Sequence, residues 1–172
     1  MNRIVLDTNS LIQCISPKSR YRKIWDCFLD GTNQLCVSDE ILNEYEEILE
    51  RLAGVEIAKL VIDVILNNPY TLFFTPYYNF NLIKSDPDDN KFVDCAIVAN
   101  AKFIVTEDHH FHILKQYNFP KVSFIGLDDF CHSLWIPSLF CDKQNPLVYE
   151  NLSDRLPRVC RPEPCIPAAQ HP

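Results

Sequence analysis

The sequence predicts an α/β protein of three layers, α/β/α, with a central parallel sheet of four to five strands. Two observations carry this prediction. Short apolar runs alternate along the chain with stretches whose apolar residues recur at helical spacing, the pattern of a parallel sheet covered by helices. The composition, 47% hydrophobic and 23% charged residues, is that of an ordinary globular domain and excludes a wholly disordered chain.

Each predicted strand is a short, mostly apolar run bounded by polar or turn-forming residues. The five runs lie at residues 4–6, 35–37, 72–74, 103–105 and 122–125. Helices are predicted between these strands and after the last one, at 11–15, 22–29, 38–52, 55–66, 86–100 and 127–134. The third helix shows the pattern best, because its apolar residues form one continuous stripe: Ile41, Leu42, Tyr45, Ile48, Leu49 and Leu52.

The composition changes near residue 136. Seven of the 12 prolines lie between Pro137 and Pro172, a density that prevents a continued helix or a central strand. We therefore expect one domain over residues 1–136 and a Pro-rich irregular or disordered tail over 137–172. The eight cysteines are scattered and no secretory signal precedes them, which predicts reduced thiols in a cytoplasmic protein. No apolar run reaches about 18 residues, so neither a transmembrane helix nor a membrane partner is expected.

The net charge of −7 provides no overall positive field that would attract nucleic acid. Any contact with nucleic acid would have to come from bound metal or from a local basic patch. Such a patch follows the first predicted strand and consists of Lys18, Arg20, Arg22 and Lys23. It could contact phosphates, and it is equally well explained as the solvated start of a helix.

Acidic residues fall where parallel sheets bind ligands, beyond the carboxyl ends of the strands. Asp7 comes directly after the first predicted strand, and Asp108 follows the fourth. Asp89 lies near the start of the fifth predicted helix and shares a face with Phe92 and Val93. An acid on an apolar face needs a partner.

The helix after the second strand offers two further acids. Glu44 and Glu46 flank opposite sides of the apolar stripe, each about 100° from its centre, so periodicity does not choose between them. Taken singly, each acid can also be a turn residue, a helix cap or a solvated side chain. Gathered at one place, carboxylates repel one another unless cations neutralise them, and oxygen ligands suit Mg²⁺ or Mn²⁺. The pattern therefore indicates a divalent-metal site able to activate water against a phosphoryl centre.

Four short motifs contain these acids: Val5-Leu6-Asp7-Thr8-Asn9-Ser10, Cys36-Val37-Ser38 to Glu44-Tyr45, Asp86-Pro87-Asp88-Asp89-Asn90-Lys91-Phe92, and Ile104-Val105-Thr106-Glu107-Asp108. In this order and spacing they resemble the motifs of PIN-domain ribonucleases, in particular the branch related to the VapC toxins of toxin–antitoxin systems. Each motif is short, and the specificity lies in the ordered set. The resemblance covers residues 3 to about 134 and leaves the Pro-rich tail without a counterpart.

The resemblance implies a PIN-like fold and metal-dependent hydrolysis of RNA, leaving 5′-phosphate and 3′-hydroxyl ends. Carried over residue by residue, it implies a catalytic set that holds Mg²⁺ or Mn²⁺: Asp7, Glu44, Asp89 and Asp108. Asp94 falls where this branch often has a further acid and is a lesser metal ligand. The resemblance also implies residues that orient these acids, namely Asn9, Ser38 and Thr106. An RNA substrate, a cognate antitoxin and a homodimer are the partners it implies.

The sequence is compatible with two other classes of function. A PIN-like domain that binds RNA or a protein partner without catalysis is favoured by the low net basicity. It is also favoured by Glu107, where the family commonly has a small residue and where an extra acid would alter metal affinity. A phosphatase of the haloacid-dehalogenase type needs Asp-x-Asp after its first strand, but Asn9 occupies the second position.

Three histidines follow Asp108 in the sequence: His109, His110 and His112. Imidazole nitrogens prefer zinc-like ions to Mg²⁺. An exposed loop is the favoured interpretation of this segment.

Overall fold

Five strands form the central sheet of the computed structural model, which describes residues 1–135. They are β1 (Asn2–Leu6), β2 (Asn33–Val37), β3 (Thr71–Phe73), β4 (Phe103–Val105) and β5 (Phe124–Ile125). Every pairing is parallel, and the order across the sheet is β3-β2-β1-β4-β5. The structure confirms the predicted α/β fold with a parallel central sheet.

The strand order reverses direction at the centre of the sheet. After β1 the chain builds outward through β2 and β3, and it then returns to place β4 and β5 on the other side of β1. The neighbouring strands β1 and β4 therefore mark the topological switch point, outside whose carboxyl ends open α/β sheets bind ligands. Leu6 pairs with Val105 in the register, so Asp7 and Thr106 leave the sheet side by side.

Six α-helices accompany the strands: α1 (Thr8–Ile15), α2 (Arg22–Leu29), α3 (Asp39–Ala53), α4 (Val55–Asn67), α5 (Asn90–Ala99) and α6 (Leu127–Trp135). Two segments form 3₁₀ helix, Pro87–Asp89 and His109–Gln116. α5 packs on β1, β2 and β4, while α3 packs on α4. The apolar stripe of α3 buries Ile41, Tyr45 and Leu49, but Leu52 at its end is 64% exposed.

The strands differ from the predicted ones by one or two residues at their ends, and β5 is only Phe124–Ile125; the larger differences concern helices. The first helix begins at Thr8 rather than residue 11. Asp7 occupies its N-cap position without a capping hydrogen bond from the side chain, and the Leu11 amide donates to the Asp7 carbonyl. The helix predicted over 86–100 begins as a 3₁₀ turn, Pro87–Asp89, before α5. The loop predicted after Asp108 is the 3₁₀ segment His109–Gln116, which buries Phe111 and Leu114 in the core.

Within residues 1–135, no helix combines the length and the apolar character needed to cross a bilayer. The cysteines of this part of the chain all carry free thiols: Cys14, Cys27, Cys36, Cys95 and Cys131. The Pro-rich tail predicted over 137–172 lies outside the described residues.

Candidate functional site

A cleft of about 740 Å³ lies at the edge of the sheet where β1 and β4 end. Its lining includes all four of the predicted catalytic acids: Asp7, Glu44, Asp89 and Asp108. Asp86, Asp94 and Asn9 line it as well. Lys91 is the single lysine or arginine among the lining residues that the structure describes. The cleft is thus strongly acidic.

Asp7 lies at the centre of this arrangement, directly after β1, and is only 5% exposed. Its Oδ2 accepts a hydrogen bond of 3.0 Å from the Thr106 hydroxyl. The pKa of Asp7 is raised to about 6, chiefly because burial penalises the charged form and further because Glu44 and Asp108 lie near it. A cation that enters the cleft would therefore stabilise the ionised form of the Asp7 carboxylate.

Thr106 connects Asp7 with Asp108. Its Oγ1 donates to Asp7 and accepts a 2.9 Å hydrogen bond from the backbone amide of Asp108. The side chain is buried at the end of β4, so it has little freedom to turn away. The structure places Thr106 where an orienting residue was predicted.

Glu44 reaches the cleft from α3 and is held by two residues that the sequence did not single out. The Thr8 hydroxyl donates a 2.6 Å hydrogen bond to Oε1, and Lys91 Nζ lies 2.5 Å from Oε2. The Tyr45 hydroxyl donates to the Leu6 carbonyl and ties α3 to β1. Since a carboxylate has about four acceptor sites, Glu44 retains capacity for a further ligand.

Periodicity did not distinguish Glu44 from Glu46, but their positions in the tertiary structure do. Glu44 lines the cleft, and Glu46 is not among the lining residues. Thr8 and Lys91 leave no comparable signal in the sequence, because their role depends on α1 and α5 meeting α3.

Asp89 ends the 3₁₀ turn before α5. Its Oδ2 is buried and has no hydrogen-bond partner among residues 1–135. Burial first, then the neighbouring carboxylates of Asp86, Asp108 and Asp7, raise its pKa to about 6. Asp108 contributes to the raised pKa of both Asp7 and Asp89, and Asp7 contributes to that of Asp89, so the three carboxyl groups lie near one another in the cleft.

Asp94 has a different environment, although it lines the same cleft. Its Oδ1 accepts a 3.0 Å hydrogen bond from the Phe80 amide and so anchors the segment that precedes α5. Burial raises the pKa of this carboxyl group, with a smaller contribution from Glu40. The carboxylates that chiefly raise the pKa of Asp7 and Asp89 are others, namely Glu44 and Asp108 for Asp7 and Asp86, Asp108 and Asp7 for Asp89.

Asn9 and Ser38 were predicted to orient the acids, and the structure places them in other contacts. Asn9 is exposed at the cleft and acts on Asp7 through its backbone amide. Ser38 caps α3, where its Oγ accepts from the Ile41 amide at 3.4 Å. Neither side chain has a hydrogen bond to an acid within the described part of the chain.

His110 belongs to the acidic cluster, so the prediction of an exposed loop is wrong for it. Its Nδ1 lies 3.3 Å from an oxygen of Asp108, 3.5 Å from one of Asp89 and 3.7 Å from one of Asp86. The apolar residues Phe111 and Leu114, three apart, are the sequence signal that could have predicted a helical turn here.

His109 Nδ1 also lies 3.4 Å from an oxygen of Asp108, and the ligand atoms of Asp108, His109 and His110 all lie within 4.8 Å of one another. The side chain of His109 is 80% exposed. His112 stacks on Phe124 with the ring centres 5.3 Å apart.

Glu107 turns away from the cleft. Its Oε1 accepts a hydrogen bond from the Leu127 amide, the first residue of α6, and Glu107 does not line the cleft. The expectation that this acid alters metal affinity finds no support in that contact. The argument it provided for a non-catalytic domain is weakened accordingly.

The predicted basic patch is engaged in other contacts. Arg20 forms an ion pair of 3.1 Å with Asp128 and contacts the Tyr21 hydroxyl. Arg22 pairs with Asp26 at 2.8 Å. Lys18 and Lys23 are exposed, and no member of the patch lines the acidic cleft.

Comparison with known proteins places this architecture in a family. The sequence matches the PIN domain over residues 3–110. This chain belongs to the PIN domain family. No curated protein matches the chain.

Solved structures with the same fold as this PIN domain include three VapBC complexes. VapBC2 from Rickettsia felis, bound to a DNA fragment from its promoter, gives a TM-score of 0.52 at 18% identity, covering 72% of this chain and 98% of that one. DNA-bound VapBC from Salmonella typhimurium gives 0.53 at 18% identity, covering 74% and 99%. VapBC-1 from nontypeable Haemophilus influenzae gives 0.50 at 15% identity, covering 73% and 98%.

The cleft of this PIN domain fits a divalent cation. Asp89 Oδ2 is a buried oxygen without a hydrogen-bond partner among the described residues, and both Asp7 and Asp89 hold their protons to an unusually high pH. Carboxylate oxygens are the donors that Mg²⁺ and Mn²⁺ prefer. An ion here would relieve both the desolvation of these groups and their mutual repulsion.

Proposed function

We propose that this PIN domain is a ribonuclease that requires Mg²⁺ or Mn²⁺ and acts as the toxin of a toxin–antitoxin pair. The observation that carries the proposal is the convergence of Asp7, Asp89 and Asp108, with Glu44 beside them, in one cleft at the switch point of a PIN fold. The earlier alternative, a domain that binds without catalysis, has lost the support of Glu107.

The residues of the cleft have distinct parts in this reaction. Asp7, Asp89, Asp108 and Glu44 would hold the metal. When bound, such an ion neutralises phosphoryl charge and lowers the pKa of a coordinated water. Thr106 and Thr8 fix the carboxylates of Asp7 and Glu44 by hydrogen bonds. Fixed acceptor oxygens need no reorganisation during the reaction, which favours catalysis.

The charge of the cleft makes RNA binding dependent on metal. Among the described residues, the lining contains one lysine, Lys91. This lysine already forms an ion pair with Glu44. A phosphodiester carries negative charge, so the metal-free cleft repels it. We expect the cation to bind before or together with the RNA.

The toxin role rests on the shared fold with the VapC-type chains of the three VapBC complexes. A cognate antitoxin would then be the protein partner that restrains the nuclease, and a second copy of the chain a further partner. Induced expression tests this role. Wild-type chain should arrest growth of a bacterial host, whereas Asp7→Asn should not.

The nuclease itself is tested by incubating a pool of single-stranded and structured RNA with Mg²⁺, Mn²⁺ or EDTA. The wild type should cleave with either ion and stop in EDTA, and Asp7→Asn should be inactive. Asp63→Asn is the matched control, because Asp63 is exposed on α4 and does not line the cleft. Metal-dependent cleavage that persists in Asp7→Asn would show that catalysis lies elsewhere.

A second matched pair tests the contribution of α3. Glu44→Gln should lose cleavage, while Glu46→Gln, on the same helix but outside the cleft lining, should cleave as the wild type does. Equal effects of the two substitutions would contradict the assignment of Glu44.

A further inference from the structure

The histidine of the acidic cleft has an unusual environment. His110 Nδ1 is buried and has no hydrogen-bond partner in residues 1–135, although carboxylate oxygens of Asp108, Asp89 and Asp86 surround it. Asp89 Oδ2, which faces it at 3.5 Å, is also buried and without a hydrogen bond there. Buried polar atoms without partners cost free energy, so a group that binds both atoms would stabilise this arrangement.

The separations are those of atoms that share a metal ion. Metal–ligand bonds of about 2.1 Å at angles of roughly 90–120° hold neighbouring ligand atoms about 3.0–3.6 Å apart. The distances from His110 Nδ1, from 3.3 to 3.7 Å, fall in or just beyond this range. The ligand atoms of Asp86, Asp89 and His110 all lie within 4.8 Å of one another.

The position of His110 is set by its backbone rather than by its ring. The His110 amide donates a 2.8 Å hydrogen bond to Asp108 Oδ1, and the next residue, Phe111, is fully buried in the core. The imidazole is therefore presented to the carboxylates by the 3₁₀ segment His109–Gln116 while its Nδ1 stays free of a hydrogen bond in the described structure.

We propose that His110 is a metal ligand of this cleft and that, together with Asp89, it makes a mixed nitrogen–oxygen site. Such a site binds a first-row transition ion such as Mn²⁺ in preference to Mg²⁺. Imidazole nitrogen favours transition ions, whereas Mg²⁺ binds through oxygen and gives up its waters reluctantly. The inference rests on the proposed function, because this ion would be the cofactor of the same cleft.

The alternative explanation is that His110 serves only as a positively charged neighbour of the three acids. In that case it neutralises carboxylates but contributes no nitrogen to a bound ion. Spectroscopy of bound Mn²⁺ separates the two, because a coordinated imidazole nitrogen couples magnetically to the ion and a distant imidazolium does not.

The experiment uses the full chain, stripped of metal and titrated with Mn²⁺ alone near neutral pH. Electron paramagnetic resonance measures the affinity, and its pulsed form measures the ¹⁴N coupling of a bound histidine. The variant is His110→Gln, and the matched control is His112→Gln from the same 3₁₀ segment. His109→Gln tests the exposed neighbour, whose Nδ1 lies 3.4 Å from an oxygen of Asp108. The double variant His109→Gln/His112→Gln, which keeps His110, provides a second measurement should His110→Gln fail to fold.

We expect ¹⁴N coupling in the wild type and in all variants that keep His110, and its loss in His110→Gln. The affinity of His110→Gln for Mn²⁺ should fall at least about tenfold, the size of effect that removing even a supporting residue of a metal site causes. Less Mg²⁺ should then displace Mn²⁺ from that variant than from the wild type.

Bound Mn²⁺ without ¹⁴N coupling in the wild type would overturn the inference and leave the proposed ribonuclease standing. Unchanged coupling in His110→Gln would do the same. Coupling through His110 in a protein that cleaves no RNA would support the inference and contradict the proposed function. Failure of the full chain to bind Mn²⁺ would overturn the inference, and RNA cleavage with Mg²⁺ would then still support the proposed ribonuclease.

Discussion

The Thr106 side chain connects the acidic residues that follow β1 and β4, Asp7 and Asp108. Its hydroxyl donates to Asp7 and accepts from the Asp108 backbone, so one buried side chain orients one acid and fixes the chain at the other. Its hydrogen bond also lowers the pKa of Asp7, against the larger effect of burial. The hydroxyl thus favours the ionised carboxylate that a metal needs.

Replacing Thr106 with Val keeps the shape of the side chain and removes the hydroxyl. We expect RNA cleavage to fall by roughly 10–100-fold, as for other residues that support metal ligands. The pKa of Asp7 should rise further, so the acidic limb of the pH–rate profile should move to higher pH. Thr106→Ser retains the hydroxyl and should keep most of the activity. An unshifted profile in Thr106→Val would contradict the orienting role.

At the scale of elements, the start of α6 depends on the exit from β4. Glu107 accepts a hydrogen bond from the Leu127 amide, and a negative charge at this end of a helix is favourable. Gly126 lies against the same carboxylate, since a Cβ on Gly126 would come within 3.0 Å of Glu107 Oε1. The two residues therefore form a matched pair that joins β4, β5 and α6.

A double-mutant cycle tests this junction. Glu107→Ala should lower the free energy of unfolding by about 1 kcal/mol, as loss of a helix cap does. Gly126→Ala should also destabilise, because its methyl group displaces the carboxylate. The effect of Gly126→Ala should shrink once Glu107 is Ala, since the close approach is gone. Urea unfolding measures all four proteins, and strictly additive effects would show that the pair is not coupled.

At the scale of the whole molecule, the cluster of acids makes metal-free stability depend on pH. Asp7 and Asp89 hold their protons up to a pKa of about 6 in the folded chain, against 3.8 in the absence of the fold. Between these values the folded state binds more protons than the unfolded state. The free energy of unfolding should therefore fall as pH rises through this window and level off above it.

The variant Asp7→Asn, which cannot ionise at this position, tests the sign of that dependence. In EDTA near neutral pH it should be more stable than the wild type by about 1–3 kcal/mol, the upper value corresponding to the full pKa shift. At about pH 5 the difference should shrink to roughly half, because Asp7 is then mostly protonated in the folded chain but still mostly ionised in the unfolded chain, and it should vanish only below about pH 3. Urea unfolding at both pH values measures the difference, with Asp63→Asn as control. Equal differences at the two pH values would contradict a raised pKa for Asp7.

Local sequence was sufficient for the strands, most of the helices and the position of Asp7 and Asp108 after β1 and β4, because apolar periodicity and strand ends are short-range properties. The structure brings both acids to one cleft with Glu44 and Asp89. Helix starts were predicted less well. The first helix extends back to Thr8, with Asp7 in the N-cap position, and the segment from Pro87 begins as a 3₁₀ turn whose cap is Asp86.

Contacts between distant segments were decided by the tertiary structure alone. These contacts join residues far apart in sequence: Thr8 and Lys91 with Glu44, Glu107 with the Leu127 amide, and His110 with Asp89. The motif resemblance had already implied Glu44 rather than Glu46, a choice that periodicity left open. Periodicity reports which face of an element is apolar, but it does not report what that face meets. The sequence by itself therefore determined the fold and the acids that follow its strands, while the packing of α1, α3, α5 and the 3₁₀ segment around β1 and β4 decided which other side chains share their cleft.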